Sequence, residues 1–362
     1  MISSFYTPVL KSKQGEFDAL AKLDPLVKKY MFPLLEITSS KMWDNITQKK
    51  PKTIEDHLQN FCKKVIKKWP SNHFFIDTDL INNESPNGVS CIEYIFNILF
   101  ENGIKPMPVV RISSPANLIT GIKAIQLIYG LDEIAIRISI ENITSPSFET
   151  ELNELLLEIE MPVEKCHIIL DLNSSDFTNT SDFADGILGA LESFPSLKEW
   201  KSFTVCGGSF PPTNLIKIGI NHIPRNEWKF YQELVKKLES EPFNRAINYG
   251  DYGIVAPGNF EFDPAKMSRS ANIRYTHNDL WFVIKGKALK KSEDFKQYVA
   301  QTKDILKSGF YLGEPFSEGD AHIKKCSLGE TTPGSPTVWN WVGNNHHFTK
   351  VVRDLFASYR AA

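Results

Sequence analysis

The sequence predicts an α/β fold in which eight parallel strands alternate with helices and close into a TIM-like (β/α)8 barrel. Over about the first 255 residues, short apolar segments that end in charge alternate with segments of helical periodicity. Eight strands close such a barrel, and about 250 residues is its usual length. No Gly-x-Gly-x-x-Gly follows the first strand, so an open, doubly wound dinucleotide-binding sheet is the less favoured alternative.

The elements assigned to the barrel are short strands and amphipathic helices. A short helix is predicted to begin near Phe17, and Gly130 is predicted to end the helix that opens at Ser114-Pro115. The strands are predicted over residues 6–10, 32–37, 74–80, 107–113, 134–140, 166–172, 202–208 and 246–252. The longer helices are predicted over residues 54–69, 91–99, 115–129, 148–160, 182–194 and 227–238. These elements assign residues 1–257 to the barrel.

The pattern changes after Pro257. Two segments rich in β-forming residues, 273–276 and 280–284, flank His277-Asn278-Asp279 and predict a hairpin. Helices are predicted over 292–307 and 348–359. The stretch 309–345 between them is rich in Gly, Pro, Ser and Thr and is predicted to be irregular. Residues 258–362 are therefore expected to form a C-terminal extension packed on the barrel.

Composition narrows the class of protein. The formal charge is −2, from 41 basic and 43 acidic residues, so nothing global indicates a nucleic-acid-binding protein, although a local basic patch is compatible with this balance. No apolar run reaches the ~18–20 residues that cross a bilayer, and the N-terminus lacks a signal-peptide pattern, which predicts a cytoplasmic protein without membrane association. The five cysteines are far apart and form no Cys-x-x-Cys, which disfavours a structural zinc site.

Charged residues cluster where the predicted strands end, which is the face of a (β/α)8 barrel that carries function. Asp77 and Asp79 are two residues apart in one predicted strand and are expected to share a face. Burying two carboxylates on an apolar strand is costly unless they meet water, a cation or a metal. The candidate residues are Lys11, Lys13, Glu36, Asp77, Asp79, Arg111, Arg137, Asp171 and Asp251.

Three interpretations of these charges compete. In the first, Glu36, Asp77 and Asp79 hold a hard cation such as Mg²⁺ and the arginines hold a phosphate, as in metal-dependent phosphodiester hydrolysis. Asp171 is then a fourth catalytic carboxylate. In the second, the ring binds a nucleotide or another charged ligand without turnover. In the third, the charges only pair with one another, so that no buried charge in the barrel interior is left unpaired.

The C-terminal extension offers further candidate ligand-binding residues. No histidine lies at the end of a predicted barrel strand, so a histidine for acid–base chemistry would have to come from the extension. His346 and His347 precede the last predicted helix, and a pair at a helix start is the alternative. Trp281 could stack a base while Arg274 beside it binds phosphate, although a hydrophobic seam is the more common use of such aromatic residues.

Several motifs resemble one protein family over nearly the whole chain. They are Tyr6-Thr7-Pro8-Val9-Leu10-Lys11-x-Lys13-x-Gly15-Glu16, Pro33-Leu34-Leu35-Glu36, Asn248-Tyr249-Gly250-Asp251-Tyr252-Gly253, Ile273-Arg274-Tyr275 with Trp281, Lys285-Gly286, Gly319-Asp320, and Trp339 with His346-His347. This set is similar to the "beta family" proteins of bacteria and phages. The resemblance implies a mobile-element or anti-phage setting, and it brings no catalytic residues with it.

Two function hypotheses follow. In the first, the protein is an anti-phage or toxin–antitoxin-like component whose charged mouth recognises a phosphate-bearing ligand, such as a nucleic acid, a nucleotide or a phage product. Its enzymatic version is a metal-dependent phosphodiesterase or nuclease. In the second, the protein is a non-catalytic inhibitor or sensor that binds a partner protein, such as the product of a neighbouring gene.

Overall fold

The computed structural model describes residues 6–38, 53–70, 72–258 and 269–361, with side chains as far as residue 357. The described residues form two compact units, each built from discontinuous segments. The first falls within Met1–Ser12, Met31–Gly208 and Asn226–Tyr252, and the second within Lys13–Tyr30, Ser209–Arg225 and Gly253–Ala362. The boundary predicted at 257/258 lies near the last of these transitions, after Tyr252.

The strands and helices run in the following order along the described chain. The strands are β1 (Tyr6–Leu10), β2 (Leu34–Glu36), β3 (Phe75–Asp77), β4 (Met107–Val110), β5 (Ile134–Ser139), β6 (Cys166–Asp171), β7 (Ser202–Gly207), β8 (Gly219–Pro224), β9 (Asn248–Asp251), β10 (Ser270–His277) and β11 (Leu280–Ala288). The α-helices are α1 (Gln14–Ala21), α2 (Pro25–Lys29), α3 (Ile54–Lys68), α4 (Cys91–Glu101), α5 (Ala116–Tyr129), α6 (Ile140–Ile143), α7 (Phe148–Ile159), α8 (Thr180–Glu192), α9 (Asn226–Leu238), α10 (Gln297–Lys307), α11 (Glu318–Leu328) and α12 (Pro336–Ala361). None of these helices is both long and apolar enough to cross a bilayer.

The first unit is a closed barrel of parallel strands in the order β1-β2-β3-β4-β5-β6-β7-β9, which confirms the predicted fold class. β9 closes it by pairing with β7 on one side and with β1 on the other. Sequence signals fix several helix ends: Gly130 adopts a left-handed conformation (φ 63°) and caps α5, as predicted. Thr53 accepts a hydrogen bond from the backbone of Asp56 and caps α3.

Apolar side chains at alternate strand positions fill the barrel interior. They are Val9, Leu34, Phe75, Met107, Val109, Ala135, Ile169, Cys206 and Tyr252. Because residues i and i+2 of a strand point to the same side, the inward position that follows Phe75 is Asp77, and the one that follows Ile169 is Asp171. The pleat of the strands therefore places a charged layer directly above the apolar layer, at the C-terminal end of the barrel.

The second unit contains a three-stranded antiparallel sheet in the order β10-β11-β8. The predicted hairpin is confirmed as β10 and β11, which turn at Asn278-Asp279. One face of this sheet packs against helices through a core that includes Tyr275, Phe282, Tyr298, Ile323 and Trp339. The sheet and α10, α11 and α12 therefore share their own apolar core.

The structure differs from the sequence prediction in the region predicted to be irregular. Residues 309–345 contain all of α11 and the first ten residues of α12. The last helix begins at Pro336, whereas the sequence predicted that it begins at 348. Two glycines that suggested a loop permit close packing instead. A Cβ at Gly343 would lie 2.6 Å from Cδ1 of Ile254, and one at Gly319 would collide with the backbone carbonyl of Val342. A strand was also missed, because β8 begins with glycine and ends with proline, residues that weaken a strand signal.

Candidate functional site at the barrel mouth

Charged side chains from separate strands meet at the C-terminal end of the barrel. Glu36, Asp77 and Asp171 end β2, β3 and β6, and Arg137 lies two residues before the end of β5. Each is at most 9% exposed, as is Lys11. We define the mouth cluster as Lys11, Glu36, Asp77, Asp79, Arg111, Arg137, Asp171 and Tyr252.

Arg137 lies at the centre of the mouth cluster. Its Nη1 donates to Oε1 of Glu36 and to Oδ2 of Asp77, both at 2.7 Å. Its Nε and Nη2 donate to Oδ2 of Asp171 at 3.0 and 2.6 Å. One buried guanidinium therefore joins carboxylates from three different strands. Glu36 is 101 residues away from Arg137 in sequence, so this contact depends on barrel closure.

Arg111 joins a buried carboxylate to an exposed one. Its Nη1 and Nη2 donate to Oδ1 and Oδ2 of Asp77 at 3.0 and 2.7 Å, and Nη1 also lies 3.3 Å from Oδ1 of Asp79. The Asp77 side chain is 2% exposed, whereas that of Asp79 is 44% exposed. The predicted shared face of Asp77 and Asp79 is wrong. The strand ends at Asp77, whose Oδ1 accepts from the backbone N–H of Asp79 at 3.0 Å, and Asp79 begins a 3₁₀ turn.

Lys11 and Tyr252 complete the cluster. The Nζ of Lys11 forms an ion pair with Oε2 of Glu36. The hydroxyl of Tyr252 lies 2.7 Å from Oδ2 of Asp171, to which it donates, and it accepts from Nη2 of Arg137 at 3.1 Å. Three cations, Lys11, Arg111 and Arg137, therefore face three buried carboxylates. Asp79 is the additional carboxylate, and it lies at the exposed rim.

The electrostatics of the cluster keep its central groups charged. Burial alone would raise the pKa of the Asp77 carboxyl, but the charges of Arg111 and Arg137 outweigh it and hold this pKa at about 2. Burial likewise opposes the charge of Arg137, but Asp171, Glu36 and Asp77 raise its pKa well above the ordinary value. Burial, and then the charge of Asp171, raise the pKa of Tyr252, so its hydroxyl keeps its proton.

The predicted metal ligands do not fit a divalent cation in this arrangement. Oxygens of Glu36 and Asp77 are directed at the guanidinium of Arg137, and Asp79 lies outside the buried layer. Within the described ranges, no group of three or more His, Cys, Asp or Glu side chains is placed to hold a metal ion. A Mg²⁺ held by Glu36, Asp77 and Asp79 would have to displace a guanidinium that already supplies the positive charge.

The remaining predicted site residues lie elsewhere. Asp251 is fully buried and accepts a hydrogen bond from the hydroxyl of Tyr6 at 2.5 Å, and its neighbour Tyr252 is the residue that reaches the mouth cluster. Lys13, Arg274, Trp281 and His346 belong to the second unit. There, Lys13 is exposed, Arg274 is half-buried, and Trp281 and His346 are at most 1% exposed.

His346 is a structural residue of the second unit and does not start a helix. Its Nδ1 lies 2.8 Å from Oδ2 of Asp320, and its Nε2 lies 2.8 Å from the carbonyl oxygen of Thr276. The carbonyl oxygen of Thr276 can only accept, so Nε2 donates to it, and the imidazole links α11 to β10. Because α12 begins at Pro336, His346 lies within the helix, and the predicted position at a helix start is wrong.

Sequence reasoning missed Tyr252 as a residue of the mouth cluster. Tyr252 was the last residue of the eighth predicted strand, so its position at the barrel mouth could have been predicted. A shift of one residue in the strand decides whether Asp251 or Tyr252 points inward. Cys206 lies in the barrel interior, where burial, and then the charge of Asp171, raise the pKa of its thiol well above the ordinary value. All five cysteines are buried and free of disulfides.

Comparison with known proteins identifies the family. No curated protein matches the chain significantly. The family model described as Beta protein matches residues 6–353, which is nearly the whole chain, and confirms the resemblance drawn from the motifs. The chain belongs to the Beta protein family.

Proposed function

We propose that the barrel mouth binds a phosphate-bearing ligand through Arg111, without turnover. The observation that carries this proposal is the position of Arg111 between buried Asp77 and exposed Asp79. A guanidinium has five N–H donors in a planar fork, and the two-point contact with Asp77 orients this fork. The contact with Asp79 is longer, 3.3 Å, and solvent screens it.

In this proposal the ligand exchanges with Asp79. The three cations of the mouth cluster are balanced by its three buried carboxylates, so Asp79 is the anion that can leave without exposing an unpaired buried charge. A phosphate then takes its place on the outer side of Arg111. Phosphate oxygens accept from a guanidinium in the same geometry as a carboxylate does.

Binding is favoured over hydrolysis by the titration behaviour of the cluster. General acid–base catalysis needs a group whose pKa lies near the working pH. The pKa of Asp77 is lowered to about 2 and that of Tyr252 is raised, so both are shifted away from neutrality. No histidine belongs to the mouth cluster as described, and the fit to Mg²⁺ is poor. A nuclease or phosphodiesterase therefore has less support than a binding site.

Two substitutions with opposite expected effects test the proposal. The probes are adenosine 5′-monophosphate and a short single-stranded oligonucleotide, measured by calorimetry at low salt. Arg111→Gln should weaken binding at least about tenfold, because a charge-assisted hydrogen bond contributes about 1.5–3 kcal/mol. Asp79→Asn should tighten binding several-fold, since it removes the competing anion.

The matched control is Lys123→Gln, which removes the same charge from an exposed pair with Glu160. If Asp79→Asn and Arg111→Gln change affinity in the same direction, or neither differs from Lys123→Gln, the proposal is wrong. Release of nucleotide products from the oligonucleotide in the presence of Mg²⁺, abolished by Asp77→Asn, would instead establish the enzymatic version.

The biological setting that we propose, an anti-phage or toxin–antitoxin-like role, rests on the family resemblance. Its test is a plaque assay with and without the gene in a sensitive host. Protection that is lost in the Arg111→Gln variant would link defence to the mouth cluster. Equal plaque counts over a panel of phages would count against this setting and would leave the binding measurement unaffected.

A second candidate function, binding to a partner protein, is favoured by one exposed surface of the second unit. Leu215, Ile218 and Ile220 are 69%, 67% and 55% exposed, and β8 pairs only with β11 among the described strands. An edge strand beside apolar side chains suits an extended segment of a partner that adds as a further strand. Ile220→Asp should abolish binding to the protein of a neighbouring gene, whereas Leu157→Asp, at another exposed leucine, should not.

A further inference from the structure

Two half-buried cationic side chains, those of Arg274 and Lys285, lie on one face of the sheet of the second unit. Arg274 lies opposite Val283 in the β10–β11 pairing, and Lys285 is two residues further along β11. Residues that pair directly across two strands share a face, as do residues i and i+2 of one strand. Arg274 and Lys285 therefore project from the same side of the sheet, and both are half-buried.

Both cations contact the same neighbouring segment, residues 209–216, which we call the Thr213 loop. The Nη2 of Arg274 donates to Oγ1 of Thr213 at 2.9 Å. The Nζ of Lys285 donates to the carbonyl oxygens of Thr213 and Ile216 at 2.8 and 2.7 Å. The guanidinium carbon of Arg274 also lies 5.2 Å from the ring centre of Phe210. All of these partners are uncharged.

Within the described ranges, no carboxylate is paired with these two charges. No described Asp or Glu forms an ion pair with Arg274 or Lys285, in contrast to the mouth cluster, where each cation meets a carboxylate. Burial lowers the pKa of Arg274 to about 10, and the phenol of Tyr298 opposes this shift only in part. Buried charges in proteins are ordinarily paired. Among the residues that the structure describes, this face of the sheet therefore has positive charge without a carboxylate counter-ion.

Several buried polar atoms on the same face have no hydrogen-bond partner among the described residues. They are Nε of Arg274, Nε1 of Trp281 and Oδ1 of Asn272. Trp281 and Asn272 share the face of Arg274 by the same pairing rule, and Trp281 contacts Phe210 with ring centres 5.0 Å apart. Two of the three atoms are N–H donors, which an oxyanion could satisfy. A buried donor without an acceptor is costly, so each of these atoms needs an explanation.

We propose that Arg274 and Lys285 form a binding site for an oxyanion of the phosphate type, held between the sheet and the Thr213 loop. The guanidinium supplies a planar fork and the ammonium a point charge, which together suit a tetrahedral oxyanion. Trp281 is only 1% exposed, so it does not stack on a base, and recognition is limited to the anionic group. The site uses none of the residues proposed to bind ligand at the barrel mouth.

The experiment measures the thermal midpoint of the full chain against inorganic phosphate, with chloride balancing the ionic strength. Binding to the folded state raises the midpoint with ligand concentration. Arg274→Gln and Lys285→Gln are each expected to raise the phosphate concentration for half-maximal effect at least about tenfold. The matched control is Lys287→Gln, an exposed cation on the same strand, which should behave as the wild type does.

A purely structural role, in which the cations only hold the Thr213 loop, gives different results. Thr213→Val removes the hydroxyl that Arg274 contacts but leaves both charges in place. If the site binds an oxyanion, this variant keeps most of its response to phosphate. The proposal is wrong if the wild-type midpoint ignores phosphate, or if Arg274→Gln and Lys285→Gln respond as the wild type does.

Two further outcomes separate this site from the barrel mouth. If Arg111→Gln alone abolishes the phosphate response, the site on Arg274 is refuted and the mouth proposal stands. Should neither glutamine variant fold, crystals of the wild type soaked in selenate decide the question. An anomalous peak within hydrogen-bonding distance of Arg274 and Lys285 supports the site. If no peak appears there at a selenate concentration that shifts the thermal midpoint, the proposal is wrong.

Discussion

Arg137 and Asp171 link two neighbouring strands at the mouth of the barrel, with Nε and Nη2 of the arginine both donating to Oδ2 of the aspartate, at 3.0 and 2.6 Å. Arg137 lies on β5 two residues before Ser139, which is the residue paired with Asp171 on β6. The long arginine side chain covers this offset and still reaches Glu36 and Asp77 across the barrel. Arg137 thereby contacts carboxylates from three other strands.

Arg137 is therefore expected to be the most sensitive residue of the mouth cluster. Arg137→Met leaves Glu36, Asp77 and Asp171 buried with fewer cations, and removing one member of a buried ion pair costs about 3–5 kcal/mol in the free energy of unfolding. Urea denaturation at neutral pH measures this loss. Lys123→Met, which breaks an exposed pair, should have little effect. A loss below about 1 kcal/mol for Arg137→Met would contradict a central role for this residue.

The acid sensitivity of the fold should depend on Asp77. Burial alone would raise the pKa of this carboxyl, but Arg111 and Arg137 lower it to about 2, below that of an unfolded chain. A depressed pKa contributes stability that is complete above about pH 4 and is lost as the pH falls toward 2, amounting to about 2 kcal/mol. The stability difference between wild type and Asp77→Asn should shrink by this amount between pH 5 and pH 2. A difference that stays constant with pH would show that Asp77 is not held ionised by its arginines.

The sequence was sufficient to predict the barrel because each strand carries a local signal, a short apolar run that ends in charge. It was also sufficient to predict which charged residues line the mouth wherever the strand continues in register, as at Glu36, Arg137 and Asp171. It was not sufficient to predict their pairing. The partners of Arg137 come from positions up to 115 residues away, and no local pattern encodes such contacts.

The failures have local physical causes. Asp79 was expected beside Asp77, but a side-chain to backbone hydrogen bond ends the strand after Asp77. Gly319 and Gly343 suggested a loop, whereas they let the helices of the second unit approach other backbone closely. The first contact is local and joins residues two apart, whereas the second depends on tertiary structure, which single-sequence patterns do not contain.

His346 is expected to stabilise the second unit rather than to bind a ligand. His346→Leu removes the imidazole contacts to Asp320 and to the carbonyl of Thr276, and leaves Asp320 fully buried with Tyr275 and Ser317 as its remaining partners. Removing a hydrogen-bond partner from a fully buried polar group costs about 1–3 kcal/mol. Denaturant unfolding measures the loss, and His222→Leu, at an exposed histidine, is the matched control. Equal stability of the two variants would mean that the imidazole serves another purpose.

Two glycines of the barrel unit should respond to alanine with opposite signs. Gly250 lies on β9 between β1 and β7, and a Cβ there would stand 2.9 Å from the carbonyl oxygen of Thr7 and 3.0 Å from Cβ of Cys206. Because one of these neighbours is backbone, Gly250→Ala should destabilise the barrel by about 1–3 kcal/mol, the usual cost of overpacking. Gly189 is exposed on α8 with no atom within 4 Å of a Cβ, so Gly189→Ala should stabilise by about 0.5–1 kcal/mol through helix propensity. Thermal and urea unfolding of the two variants check both signs, and a stabilised Gly250→Ala would show that β9 is not held as closely to β1 and β7 as the barrel requires.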